Sequence, residues 1–186
     1  AALNANVGGR GHGAVYVERQ VIGWFRQLFG FPAGASGLLV SGTSTATLIG
    51  LAIARNRAIG VTARSSGLAA ANGQLVAYTS REAHSSVAKA FELLGLGNKA
   101  LRAIAVDTSY ALDVDALRAT IAADRAAGLQ PFAIIATAGT VNTGAIDPLA
   151  EIATIAAEEG LWLHVDGAFG ALAILAPEHR HRLAGI

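Results

Sequence analysis

The 186-residue sequence contains no cysteine and no methionine, and charged residues make up only 15% of it. Without cysteine there are no disulfides, thiolate zinc sites, iron–sulfur clusters or cysteine nucleophiles, which suits a reducing cytoplasm. A complete reading frame begins with Met, whereas this chain begins Ala1-Ala2-Leu3. The expectation is a processed terminus or a piece of something longer. Lysine is scarce too: Lys89 and Lys99 are the only two. No uncharged apolar run reaches the roughly 20 residues of a membrane span, and no basic start with an apolar centre marks a signal peptide. A formal net charge of +1 gives no reason to expect nucleic acid as a partner.

What is present points to a folded α/β domain. Hydrophobic residues make up 53%, the opposite of a disordered balance, and the length suffices for a real core. Short runs rich in Val, Ile and Leu predict strands at 74–79, 101–106, 132–137 and 161–166. Between them lie helical stretches. One spans 46–58. Another, 84–94, puts Val87, Ala88, Phe91 and Leu94 on one face. A third, 113–127, opens with Asp113 or Asp115 as cap. A fourth, 148–159, has Asp147 as cap and Pro148 at the first helical position, and Gly160 ends it. Residues 69–74, with Ser65, Ser66 and Gly67 nearby, read as a surface loop. Strands alternating with helices imply a mostly parallel sheet in one continuous domain. Ligands then sit beyond the carboxyl ends of the strands, after Ser41, Thr79 and Thr137 and at Asp166.

Four segments there could carry chemistry. Ser41-Gly42-Thr43-Ser44-Thr45-Ala46-Thr47 opens an apolar helix, and its free N–H groups suit a phosphate, or simply a capped helix. It lacks the Gly-Lys-Ser/Thr of a Walker loop. In His164-Val165-Asp166-Gly167-Ala168-Phe169-Gly170, His164 and Asp166 share one strand face. They read as a turn cap, a metal-ligand pair, or a carboxylate awaiting a cationic group. His84 follows a strand end at the start of a helix, as a capping or a site residue. Thr137 sits at a strand tip before the glycine turn 138–144. Two other segments fail as motifs. Gly8-Gly9-Arg10-Gly11-His12-Gly13 lacks the dinucleotide fingerprint and reads as a flexible loop, while Glu178-His179-Arg180-His181 lacks zinc spacing and reads as a solvated turn.

Taken in order, these segments resemble the pyridoxal-phosphate-dependent group II decarboxylases, the family of aromatic-L-amino-acid and glutamate decarboxylases. Glu18-Arg19-Gln20-Val21-Ile22-Gly23-Trp24 with Leu28-Phe29-Gly30-Phe31-Pro32 is similar to the stretch before the family's phosphate loop. Ser41 to Thr47 resembles that loop itself. His84, the block Thr137-Ala138-Gly139-Thr140 with Gly144-Ala145-Ile146-Asp147-Pro148, and Trp162 to Gly170 resemble the blocks that follow. The resemblance implies the large domain of a three-layer, fold-type I pyridoxal-phosphate enzyme: a mostly parallel sheet with helices on both faces. It implies pyridoxal 5′-phosphate as cofactor. Asp166 would pair with the pyridine nitrogen and keep it protonated, and His84 would stack on one ring face. Ala168 would pack on the other, Thr43 and Ser44 would hold the phosphate, and Thr137 would contact the cofactor. His84 and Asp166 are the expected catalytic residues, and no metal is expected.

The resemblance also carries departures. Thr43 stands where a second glycine is usual and Thr45 where glutamate is usual. The family's Schiff-base lysine lies downstream of the aspartate block, and neither Lys89 nor Lys99 has its context. The expectation is therefore a partial large domain spanning 1–186, lacking an N-terminal segment and the small C-terminal domain, and inactive alone. The intact protein would be a cytoplasmic homodimer and carboxy-lyase converting an L-amino acid, aromatic by preference, to its amine. Two alternatives stay open. One is a metal-dependent hydrolase using His164 and Asp166 with a third ligand from His84. The other is a non-catalytic module of the same fold.

Overall fold

The computed structural model describes residues 13–186, and the chain divides into two compact units, 1–41 and 42–186. Residues 8–12 of the glycine-rich segment lie outside the described residues, and Gly13 opens helix α1 (Gly13–Leu28) of the first unit. Two side chains of α1 hold the segment that follows it. The Glu18 carboxylate accepts the Leu39 N–H at 2.7 Å, and Arg26 Nη1 donates to the Ala33 carbonyl at 2.6 Å. The apolar run Leu38-Leu39-Val40 forms no strand, which corrects the strand end anticipated at Ser41. The Leu39 N–H goes to a side chain rather than to a ladder.

The second unit holds the sheet. Its elements are α2 (Thr43–Ile59), α3 (Ala63–Ser66), β1 (Leu75–Ser80), α4 (Ser86–Leu93), β2 (Leu101–Ile104), α5 (Val114–Ala126), β3 (Gln130–Thr137), α6 (Leu149–Glu158) and β4 (Trp162–Asp166). The strands run parallel in the order β2-β1-β3-β4. A parallel sheet covered on both faces needs strands apolar on both sides, and every residue of β1 is buried. Alternation sends Val76, Tyr78, Ile134 and Ala136 into the core with Leu117 and Ile121 of α5 and Ile152 and Ile155 of α6. It sends Leu75, Ala77, Ala133 and Ile135 into the core with Leu51 of α2 and Phe91 of α4. The three layers are as anticipated.

β3 carries one bulge. Val76 pairs with Pro131 and Ala77 with Ala133, so Phe132 is skipped. The extra residue turns both Phe132 and Ala133 toward α2 and α4, and the Phe132 ring lies 6.0 Å from that of Phe91.

Local signals behave as their chemistry requires, with exceptions. Asp113 caps α5, accepting from the Asp115 and Ala116 N–H groups at 3.0 Å each. Gly160 follows α6 at φ 67°, the left-handed turn expected there. Asp147, in contrast, does not cap α6, since both its oxygens are committed to Leu112 and Thr137 and Pro148 stands at the cap position. The predicted loop before β1 is partly ordered as α3 and a 3₁₀ turn, Gly67–Ala70. β2 ends at Ile104, because Val106 pairs instead with Leu112 in an antiparallel bridge.

Candidate active site

The carboxyl ends of β1, β3 and β4 open on one side of the sheet, and α2 starts there. A cavity of about 270 Å³ occupies this place, lined by Thr43, Ser44, His84, Ser86, Thr137 and Asp166, with the 139–141 turn, Ala168 and Phe169 at its wall. All six residues expected from the sequence to hold a cofactor (Thr43, Ser44, His84, Thr137, Asp166 and Ala168) line this one cavity. They come from four separate stretches of chain.

Each is placed by its element. Thr43 and Ser44 are the first residues of α2. The first N–H groups of a helix have no carbonyl one turn back to donate to, and Gly42 before them supplies no side-chain cap. The start of this 17-residue helix is thus a ready anion site. Thr137 and Asp166 end β3 and β4 and are direct register partners. The Ala138 N–H donates to the Asp166 carbonyl at 2.8 Å, closing the ladder.

Asp166 is 7% exposed. Its Oδ1 accepts one N–H, from Ala168 at 3.2 Å, and no side chain pairs with it among the described residues. A buried carboxylate with so little compensation suits a cationic donor. The Thr137 hydroxyl is buried with no hydrogen-bond partner among the described residues, and such a group is costly unless a ligand satisfies it. Behind it, Asp147 is 1% exposed and fixes the strand tip. Its Oδ2 accepts the Thr137 N–H at 2.7 Å, while its own N–H donates to the Thr137 carbonyl at 3.0 Å. Burial pushes the Asp147 carboxyl above the ordinary carboxylate value, and the N–H groups of Thr137 and Leu112 oppose that.

His84 lies in the turn between β1 and α4 rather than on the helix. Its Nδ1 faces the hydroxyl of Ser86 at 2.9 Å and accepts the Ser86 backbone N–H at 3.2 Å. His164 shares a sheet face with Asp166, as the alternation predicted, but it does not line the cavity. Its ring sits under α2, where a Cβ on Gly50 would come within 2.9 Å of its Nδ1. Burial lowers its pKa, partly offset by the Asp166 carboxylate. Among the described residues no group of three or more His, Asp or Glu side chains is arranged to hold a metal, so the hydrolase alternative lacks its ligand set. Lys89 and Lys99 are exposed, and neither lines the cavity.

Sequence reasoning gave Ser86, Val141 and Phe169 no individual site role and read Asp147 as a helix cap. Only Ser86 had a local signal, a hydroxyl two residues beyond His84 at a helix start. The groups that are present fit a phosphorylated heteroaromatic cation. They comprise a helix start for an anion, a buried carboxylate for a ring N–H⁺, an unpartnered hydroxyl, an imidazole and a small methyl wall.

Comparison with known proteins agrees. The chain is 38% identical over 176 residues to an aromatic-L-amino-acid decarboxylase of Bacillus atrophaeus, covering 95% of this chain and 35% of that protein. It is 38% identical over 182 residues to a histidine decarboxylase of Mus musculus, covering 91% of this chain and 27% of that one. The crystal structure of mouse CSAD superposes with a TM-score of 0.87 at 34% identity, over 92% of this chain and 36% of that chain. The chain thus spans about a third of the length of such relatives. Residues 13–186 match the pyridoxal-dependent decarboxylase conserved domain, and the chain belongs to that family.

Proposed function

We propose that this chain is part of the large domain of an enzyme that decarboxylates an L-amino acid, and that its cavity binds pyridoxal 5′-phosphate. The observation that carries this reading is the convergence of Thr43, Ser44, His84, Thr137, Asp166 and Ala168 on one cavity. The start of α2, with the Thr43 and Ser44 hydroxyls, holds the phosphate. Asp166 accepts the pyridinium N–H and keeps that nitrogen charged. His84 and Ala168 would hold the ring from the cavity walls that they line, and the Thr137 hydroxyl would complete the polar contacts. When bound, the cofactor supplies an electron sink for the pair left behind as CO2 departs. The protein's part would be to hold the ring in place with its nitrogen protonated.

An aromatic L-amino acid is the favoured substrate, with histidine next, in line with the names of the relatives. A homodimer in the cytoplasm is the setting this reading implies.

The reading is tested by titrating the 186-residue chain with pyridoxal 5′-phosphate and following its absorbance. Saturable one-to-one binding is expected. Borohydride reduction is expected to leave Lys89 and Lys99 unlabelled, because neither lines the cavity. Absence of binding, or stoichiometric zinc or manganese in its place, overturns the reading. For the longer protein that contains this chain, CO2 release from aromatic L-amino acids against L-histidine decides the substrate.

A further inference from the structure

The pair formed by His84 and Ser86 carries a consequence for how the imidazole can act. A backbone N–H can only donate. The Ser86 N–H points at His84 Nδ1 at 3.2 Å, so that nitrogen offers its lone pair and carries no proton. The Ser86 hydroxyl, 2.9 Å from the same nitrogen, can then only donate to it as well. In the neutral ring the proton must sit on Nε2, which has no partner among the described residues. Ser86 is held rigidly enough to impose this. It is the first residue of α4, and it is 5% exposed.

We propose that Ser86 is a positioning residue that locks His84 as its Nε2–H tautomer and sets the plane of the ring. This inference rests on the proposed reading that His84 faces the bound cofactor. It deepens that reading by assigning the direction of the hydrogen bond. With Nδ1 occupied and Nε2 protonated, the ring meets a bound molecule as a donor. Through Nε2–H it can orient an anionic oxygen, and in this neutral form it cannot begin as the base. Among the described residues Asp166 is the one acidic or basic side chain besides His84 that lines the cavity, so the ring's remaining polar surroundings there are hydroxyls and backbone.

The experiment is ¹⁵N NMR of the histidine side chains in the 186-residue chain. It is run without cofactor at mildly alkaline pH, above the ordinary histidine pKa of about 6.5, and His84→Gln identifies the His84 signals. A pyridine-type shift at Nδ1 and a pyrrole-type shift at Nε2 are expected. Ser86→Ala removes one of the two donors, and the ratio of the two tautomers should fall about three- to tenfold. The exchange-averaged Nδ1 signal then moves toward the pyrrole position, and Ser86→Thr restores it. A protonated Nδ1 in the unaltered chain overturns the inference without any variant. So does a Ser86→Ala protein whose His84 signals do not move. Cofactor titration of the same samples separates the two claims. A locked tautomer without cofactor binding sinks the functional reading and leaves the role of Ser86 standing.

Discussion

Thr137 and Asp166 are register partners at the carboxyl ends of adjacent parallel strands. Among the described residues, one presents a buried hydroxyl without a partner and the other a buried carboxylate with a single N–H donor. The two defects lie side by side in the wall of one cavity, and a ligand with one acceptor or hydroxyl and one cationic N–H would relieve both. This sets opposite expectations for stability and binding. Thr137→Val removes the unsatisfied hydroxyl and should stabilise the unliganded chain by about 1 kcal/mol while weakening cofactor binding. Asp166→Asn keeps the contact with the Ala168 N–H but loses the charge, and should weaken binding about ten- to hundredfold. Thermal melting paired with cofactor titration reads both effects. A Thr137→Val chain that is destabilised and binds unchanged contradicts the pairing.

The legible part of the fold was what short-range chemistry decides. Asp113 caps α5 because its acceptors lie two and three residues away. Gly160 ends α6 because a left-handed turn is cheapest there. The buried strands announced themselves through apolar runs, with boundaries off by one or two residues. Contacts between distant residues were not legible. Asp147 reads locally as a helix cap, yet its two oxygens serve N–H groups 35 and 10 positions away. Ser41 was expected to follow a strand end, yet the Leu39 N–H just before it is taken by Glu18, 21 residues earlier. Nothing near Gly50 in sequence reveals the imidazole of His164 beneath it. The six residues that converge on the cavity were picked out because their blocks occur in a recognisable order.

Asp147 gives a prediction that joins stability to pH. It is 1% exposed, and burial holds its carboxyl above the ordinary value. From about pH 3.9 up to its raised folded value, the native chain keeps a proton the unfolded chain has lost. The contribution of Asp147 to stability therefore falls as pH rises through that window. Asp147→Asn abolishes that part of the pH profile. It also leaves one of the N–H groups of Thr137 and Leu112 facing an amide NH₂ in place of an oxygen, at a cost of about 1–3 kcal/mol at neutral pH. Urea unfolding of both chains across the acid range checks the two effects. Equal stability at neutral pH would contradict the assigned bonds.

The opposite end of the scale is set by Tyr78. Its hydroxyl donates to Asp124 Oδ2 at 3.1 Å, and Arg102 holds the same carboxylate through Nε at 3.0 Å and Nη2 at 3.0 Å. Burial first, and Asp124 second, push the phenol pKa well above its ordinary value. Above about pH 10 the unfolded chain loses the phenolic proton while the native chain keeps it, so stability falls with rising pH. Tyr78→Phe removes that alkaline loss and costs about 0.5–1.5 kcal/mol at neutral pH. Thermal melts at neutral and strongly alkaline pH should converge for the two proteins as the pH rises.

The contact between Gly50 and His164 is the most specific test of the packing behind the site. Gly50 lies inside α2, where alanine would ordinarily gain up to about 1 kcal/mol over glycine. Here a Cβ would stand 2.9 Å from His164 Nδ1 and 3.0 Å from Cε1, so the ring must move. The ring is held on β4, two residues before Asp166, and cannot swing freely into solvent. Gly50→Ala should therefore destabilise the chain by about 1–3 kcal/mol. In the His164→Ala background the obstruction is gone, and the same substitution should become neutral or stabilising, so the double-mutant cycle shows strong favourable coupling. The pH dependence supplies a second arm. Burial depresses the His164 pKa, so its neutral form stabilises the fold above about pH 6.5 and that stability is lost as the pH falls. The chain carrying His164→Ala should lose that acid sensitivity. Additive substitutions, with an unchanged acid profile, would mean that α2 and β4 do not meet through these two residues.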